Sequence, residues 1–327
     1  MEQRKIQVTG GSSFMVTLPK EWAESVGLRK NDTVGLAPQS DGSMLIVPGD
    51  VRAGISCSSV TITVDGDTDG DFLYRRLVGA YIAGHDSIVV GCPGGIPSHL
   101  ASVASTFTQT AMGFEIMEES DDIILIKDLM DPDEVRPTKS VERMKVLVKN
   151  MYNDVFDTAG ADGVGQQPLA DRDREIDRLY WLVSRQVSLH LKDPSMSRRS
   201  GLTPSAVSRC AIVARSIERM GDHVVQLDSN LRAIVSSGDT GFIDRLLPLR
   251  PELMDLVQAS VRAWVTSDMV AADRSIVTGR ALVSRLDGLL SGDPIGGLPA
   301  GLAVGNLRRI AEYSVDICEA AINSAMD

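Results

Sequence analysis

The chain has 327 residues, 43% of them hydrophobic, 24% charged and 4% aromatic. That length suggests two or three domains, and the composition excludes wholesale disorder and an aromatic-cored sandwich. No apolar run approaches the roughly 18 residues of a membrane span, and no apolar signal segment follows Met1, so a cytoplasmic protein without membrane insertion is expected. The formal charge of −11 argues, taken whole, against a phosphate-rich partner.

Residues 4–48 are β-patterned around one short helix. Ile6 and Val8 alternate with polar neighbours, Gly10 to Ser13 turns the chain, and Met15-Val16-Thr17-Leu18 reads as a second strand. Pro19 suits the start of a helix over 19–26 that ends at Gly27. Strands at 33–37 and 43–47 follow, joined by Ser40-Asp41-Gly42. Some fifty residues of this kind bury little core alone, which predicts an obligate dimer.

The run Gly11-Ser12-Ser13-Phe14-Met15-Val16-Thr17-Leu18-Pro19-Lys20-Glu21-Trp22, then Gly27-Leu28-Arg29-Lys30-Asn31-Asp32, resembles the AbrB/SpoVT swapped-hairpin family. The resemblance implies an intertwined β homodimer that binds DNA, with Arg4, Lys5, Ser13, Lys20, Arg29 and Lys30 as contacts. Such cations neutralise phosphates and position a protein without reading sequence. Residues 1–50 nevertheless carry five basic residues against six acids, and the segment's alternative role is dimerisation alone.

Residues 51–133 read as a small α/β layer of order βαβαββ, described as ferredoxin-like: strands at 59–64, 87–90, 114–117 and 123–127, helices at 72–84 and 98–111. Asp65 to Gly70 begins like a calcium loop, but Arg76 occupies the twelfth position, where a bidentate Glu is needed. A turn capped by Asp69 or Asp71 is the expected reading. Gly91-Cys92-Pro93-Gly94-Gly95 likewise reads as a tight turn, since it lacks the Lys-Ser or Lys-Thr of a P-loop. This layer holds four basic residues against thirteen acids, so most of the negative charge sits here and the layer should face away from DNA.

From 134 to 327 the apolar spacing is helical, in six segments: 138–159, 168–192, 203–236, 241–266, 268–291 and 298–326. Ile217 to Val225 aligns with Leu307 to Val315, which predicts two three-helix units in tandem. Asp173 and Asp177 are four apart on one helix, and Glu218 and Asp222 are four apart on the next, so each pair shares a helix face. Acidic pairs aimed at each other from neighbouring helices suit a metal ion, with oxygen ligands favouring Mg or Mn, and Fe or Zn also compatible. The competing reading is a solvated face in which Asp171, Arg172, Arg174 and Arg178 make ordinary helix ion pairs.

At these residues, Asp173-Arg174-Glu175-Ile176-Asp177 and Ile217-Glu218-Arg219-Met220-Gly221-Asp222 resemble the paired acidic motifs of the PhoU family. The resemblance implies a metal-binding tandem of three-helix bundles that negatively regulates phosphate uptake, with the phosphate ABC transporter or its ATPase as partner. The second unit departs from the pattern: Arg308 stands opposite Glu218, and Arg308 and Glu312 are placed for an ion pair, so one metal site per chain is expected.

The chain as a whole is therefore expected to be mixed but mainly α: a swapped-hairpin domain (1–50), a small α/β domain (51–133) and a PhoU-like six-helix domain (134–327). It is expected to regulate phosphate uptake and phosphate-responsive gene expression. The alternative is a cytosolic adaptor whose N-terminal domain only dimerises. No nucleophile is paired with a base, and His85, His99, His190 and His223 show no triad or metal spacing, so enzymatic activity is not expected. The cysteines Cys57, Cys92, Cys210 and Cys318 are too scattered for a disulfide framework or zinc knuckle and read as buried.

Overall fold

A computed structural model describes every residue except 1–2, 12, 39–41, 49–57, 132–133, 160–168, 194–195, 197–198, 291–296 and 327. The chain is mainly helical, with a small strand region at its N-terminus and a mixed sheet in the middle. It divides into two compact units, Met1–Cys57 and Ser58–Asp327.

The first unit contains two antiparallel hairpins and one short helix. β1 (Gln7–Thr9) pairs with β2 (Ser13–Met15) across a turn in which Gly10 and Gly11 take positive φ. That tight turn starts the pairing at Thr9–Ser13, so the second strand lies earlier than the expected 15–18. Helix α1 (Lys20–Ser25) is followed by Gly27 at φ 72°, whose N–H bonds Glu24 O at 3.1 Å, as a left-handed C-cap requires. β3 (Val34–Pro38) pairs with β4 (Met44–Pro48). No described residue of this unit is buried: Phe14 is 79% exposed, and Ile6, Val8 and Leu36 all exceed half. Within one copy, the described residues of this unit form no buried core.

In the second unit, β5 (Ser59–Thr63), α2 (Gly70–Ile82), β6 (Ser87–Gly91), α3 (Ser98–Thr110), β7 (Phe114–Glu119) and β8 (Ile123–Asp128) follow the expected βαβαββ order. The sheet order is β5-β6-β8-β7, with β5 and β6 parallel and the other pairs antiparallel. The ferredoxin-like description needs refining, because only β6-α3-β7 is a split unit, with β8 inserted; β5 and β6 are direct neighbours. The turn readings hold. Asp69 accepts from Phe72 N at 2.8 Å to cap α2, and Asp65 Oδ1 accepts from Thr68 Oγ1 and Asp67 N. Arg76 donates to Thr63 O instead of facing a metal.

The helical part comprises α4 (Pro137–Ala159), α5 (Leu169–Lys192), α6 (Pro204–Ser236), α7 (Thr240–Leu246), α8 (Leu249–Thr266), α9 (Met269–Gly288) and α10 (Gly297–Ala325). Pro248 breaks the expected fourth segment into α7 and α8, since a proline that lacks an N–H and clashes with the preceding turn cannot continue a helix. The breaks expected at 160–165, 194 and 292–294, turn residues 40 and 41, and Cys57 lie outside the described residues. Buried side chains from Val141 to Ala321 form one continuous core shared by both three-helix units, and α6 packs along α10. Residues aligned between the units meet there: the His223 and Tyr313 rings lie 5.9 Å apart. Cys92, Cys210 and Cys318 are buried and free.

Helix α5 belongs to two cores at once. Ile176, Leu179 and Val183 enter the bundle core, while Trp181 packs against the core of the α/β layer. Arg178 donates to Thr110 O (2.7 Å), Lys192 to Ala83 O (2.5 Å), and Leu189 lies against Gly84. Positions 178, 181, 185, 189 and 192 recur at three- and four-residue spacing and form one stripe. At its centre the Arg185 guanidinium is buried, donating to Tyr81 O (2.8 Å), His85 O (2.9 Å) and Asp128 Oδ2 (2.6 Å), and lying against both the Tyr81 and Phe114 rings.

Candidate functional site

The four predicted acids lie on the facing sides of α5 and α6. Gly221 is what lets the helices close: a Cβ there would stand 3.1 Å from Ile176 Cδ1 and 3.5 Å from Asp173 Oδ1. Asp173 thus abuts α6 at a position between Glu218 and Asp222.

Of the three arginines named for an ordinary ion-paired face, only Arg174 makes such a pair within α5, and none reaches Asp173 or Asp177. Arg172 pairs with Asp154, Arg174 with Asp171, and Arg178 reaches Thr110 O. Among the described residues, Asp173 and Asp177 make no hydrogen bond or ion pair. Glu218 receives Arg215 Nη1 on Oε1 at 3.1 Å, but Oε2 is buried without a hydrogen bond, 3.7 Å from Arg219 Nε. Asp222 accepts from Arg219 Nη1 at 3.2 Å.

The electrostatics follow from this geometry. Burial, then the neighbouring carboxylates Asp173, Glu218 and Asp222, push the Asp177 carboxyl up to about 7, against a smaller opposing effect of Arg215. Asp173 is raised by burial and by Asp222. Glu218 is raised by burial and Asp222, with Arg215 and Arg219 opposing. The four acids therefore feel one another, although among the described residues no three His, Cys, Asp or Glu side chains converge to form a ligand set.

The second unit answers the same problem differently. Arg308 Nε donates to Glu312 Oε1 at 2.8 Å, as expected, and Arg308 also lies 3.7 Å from Asp287 on α9. A guanidinium carried by the chain sits between α9 and α10.

The six residues expected at DNA are all exposed. Arg4 and Lys5 precede β1, Ser13 opens β2, Lys20 opens α1, and Arg29 and Lys30 lie in the turn before β3. Lys20 is 3.6 Å from Glu24, and the Arg29 backbone N–H donates to Asp32 Oδ2 at 2.7 Å.

Sequence reasoning did not single out Arg185 or Arg215. The three- and four-residue spacing of Arg178, Trp181, Arg185, Leu189 and Lys192 was the available signal for the first. Arg215, three residues before Glu218, was the signal for the second.

Among the described residues no helix is long and apolar enough to cross a membrane. No curated protein and no solved structure matches the chain. Two family models do. Residues 7–53 match that of the antidote-toxin recognition protein MazE, a bacterial antitoxin, and residues 141–227 match the PhoU domain. The second match spans α4, α5 and most of α6, carries all four acids, and stops short of the second three-helix unit. The chain thus joins an N-terminal MazE/AbrB-like domain to a PhoU domain.

Proposed function

We propose that this protein regulates phosphate uptake, and that its first three-helix unit holds one divalent or trivalent metal ion through Asp173, Asp177, Glu218 and Asp222. The observation that carries the reading is a set of four mutually repelling carboxylates with two members unpartnered and Glu218 Oε2 buried without a hydrogen bond. A cluster like this is costly without a cation.

The donor set fits such an ion: all oxygen, from two helices, with Mg, Mn, Fe or Zn as candidates. When bound, the ion supplies the positive charge that lets the carboxylates approach. Asp173 and Asp177 would hold it from α5, and Glu218 and Asp222 from α6, across the close helix approach that Gly221 allows.

The bundle then serves as a docking surface for the phosphate transporter or its ATPase, and the N-terminal unit makes the homodimer. Both matched families are regulatory and non-catalytic, in keeping with a regulator and not an enzyme. Exposed Arg4, Lys5, Ser13, Lys20, Arg29 and Lys30 support phosphate contacts to DNA. The alternative, an adaptor whose N-terminal unit only dimerises, draws on the five basic residues against six acids of residues 1–50.

Two measurements decide. Metal analysis of purified protein should find about one equivalent per chain, lost in Asp177→Asn and Glu218→Gln; metal-free protein unmoved in stability by any of these ions would refute the site. Binding to the promoter region of a phosphate-transport operon over a salt series should show a steep slope. A slope near zero would leave the adaptor.

A further inference from the structure

The two edges of the α/β sheet are built differently. β7 carries Glu115, Glu118 and Glu119 and a bulge between Ile116 and Glu118, the devices that keep an edge from pairing with another chain. β5, Ser59-Val60-Thr61-Ile62-Thr63, has no charge, no proline and no bulge, and is mostly β-branched. Among the described residues only β6 pairs with it.

Its free backbone groups can be identified. Val64 N donates inward to Gly91 O at 2.9 Å, so by the two-residue period of a strand residues 60 and 62 also face β6, and 59, 61 and 63 present their N–H and C=O outward. Ser59, Thr61 and Thr63 are exposed. Thr63 O already accepts from Arg76, which leaves its second lone pair.

We propose that β5 pairs antiparallel with β5 of a second copy of this chain, centred on Thr61, joining two four-stranded sheets into one. Three observations select a second copy over another partner. The edge is self-complementary: Thr61 meets Thr61, and Ser59 meets Thr63, pairs that stabilise a sheet and bring no like charges together. The charge distribution favours the antiparallel sense. Asp65, Asp67 and Asp69 follow the end of β5, and the Gly91–Ile123 pairing brings Asp121 and Asp122 to that same end of the sheet. Antiparallel pairing sets each acidic end beside the other copy's Ser59, whereas parallel pairing would stack the two acidic ends. Finally, the coreless first unit, with Phe14 79% exposed, calls for a second copy, and β5 begins only two residues after that unit ends at Cys57. This last argument rests on the dimer reading above; the other two do not.

The test is cross-linking of full-length protein in a Cys57→Ser background, the other three cysteines being buried. Opposed residues of a hydrogen-bonded antiparallel pair have Cα atoms about 5.5 Å apart, within disulfide reach. Thr61→Cys should give a covalent dimer on mild oxidation. Ser59→Cys alone should not, while Ser59→Cys with Thr63→Cys should. In unsubstituted protein the outward Thr61 amide should exchange with solvent slowly. A chain that light scattering finds monomeric overturns both this pairing and the dimer reading. A dimer in which Thr61→Cys does not cross-link and the Thr61 amide exchanges freely overturns the pairing alone, and equal cross-linking by Ser59→Cys overturns the register.

Discussion

Replacing Arg185 by Met keeps most of the side-chain volume and removes the charge that fastens the α/β layer to α5. The Asp128 side chain, 8% exposed, loses its partner at 2.6 Å. His85 O loses a donor, while Tyr81 O keeps the Gly84 N–H. Removing one member of a buried ion pair costs about 3–5 kcal/mol, and an orphaned carbonyl adds about 1–3 kcal/mol at most. Burial already raises the Asp128 carboxyl against the opposing effect of Arg185, and losing that effect raises it further, which eases the charge penalty and offsets the carbonyl loss. The expected total is therefore about 3–5 kcal/mol, or about 1 to 1.7 M in urea midpoint at a slope of about 3 kcal/mol/M. Because the folded-state pKa of Asp128 is then raised further above the unfolded value than in the parent protein, the variant's deficit should shrink as pH falls. Arg185→Met with Asp128→Asn should recover part of the loss. Urea unfolding followed by tryptophan fluorescence reports the contact through Trp181, 6.2 Å from Tyr74 of α2. A single transition shifted by less than about 1 kcal/mol would refute the idea that Arg185 joins the two layers.

The acid cluster makes its own predictions. Asp177 has a folded-state value near 7 against 3.8 when free, so metal-free protein should lose stability as pH rises from about 4 to 7, and saturating metal should flatten that dependence in thermal melts. Asp177→Asn should raise the melting temperature of metal-free protein at pH 7.5 while abolishing the gain from metal; a lower melting temperature would contradict the repulsion. The two tight helix glycines should differ. Gly221→Ala meets the flexible end of Ile176 at 3.1 Å, while Gly279→Ala meets Val315 Cγ2 at 2.7 Å, and a β-branched valine has little room to turn. Gly279→Ala should cost about 1–3 kcal/mol and Gly221→Ala less, with denaturation midpoints in that order. Charge reversal at Arg4 and Lys5 should flatten the salt dependence of DNA binding without changing the oligomeric state in light scattering.

Element order was legible because each kind of element has its own pattern: short alternating or continuous β-branched and apolar runs in β5 to β8, three- and four-residue spacing from α4 onward. The acid pairs were legible for the same reason, since four-residue spacing puts side chains on one helix face. What escaped depended on partners distant in the chain. Arg185 looks like any helix arginine until Asp128, 57 residues away, is placed beside it. The start of β2 was set by the glycine turn and not by the apolar run Met15 to Leu18, and Pro248 divided a segment whose apolar spacing continues on either side. Nor did spacing alone say which way Arg172, Arg174 and Arg178 turn, and on that depends whether the acids are a solvated face or a site.

Helix α5 meets the layer along one stripe, the bundle core along another and the acids of α6 along a third, so few of its positions are answerable to solvent alone. A library of single substitutions should find it among the least tolerant stretches of the chain, with failures at positions on every side of the helix instead of the single buried stripe of an ordinary surface helix. The same arrangement discourages recombination: a bundle cut away before residue 134 would carry Trp181 and Arg185 on a bare face, so the layer and the first three helices should be inherited, expressed and lost together.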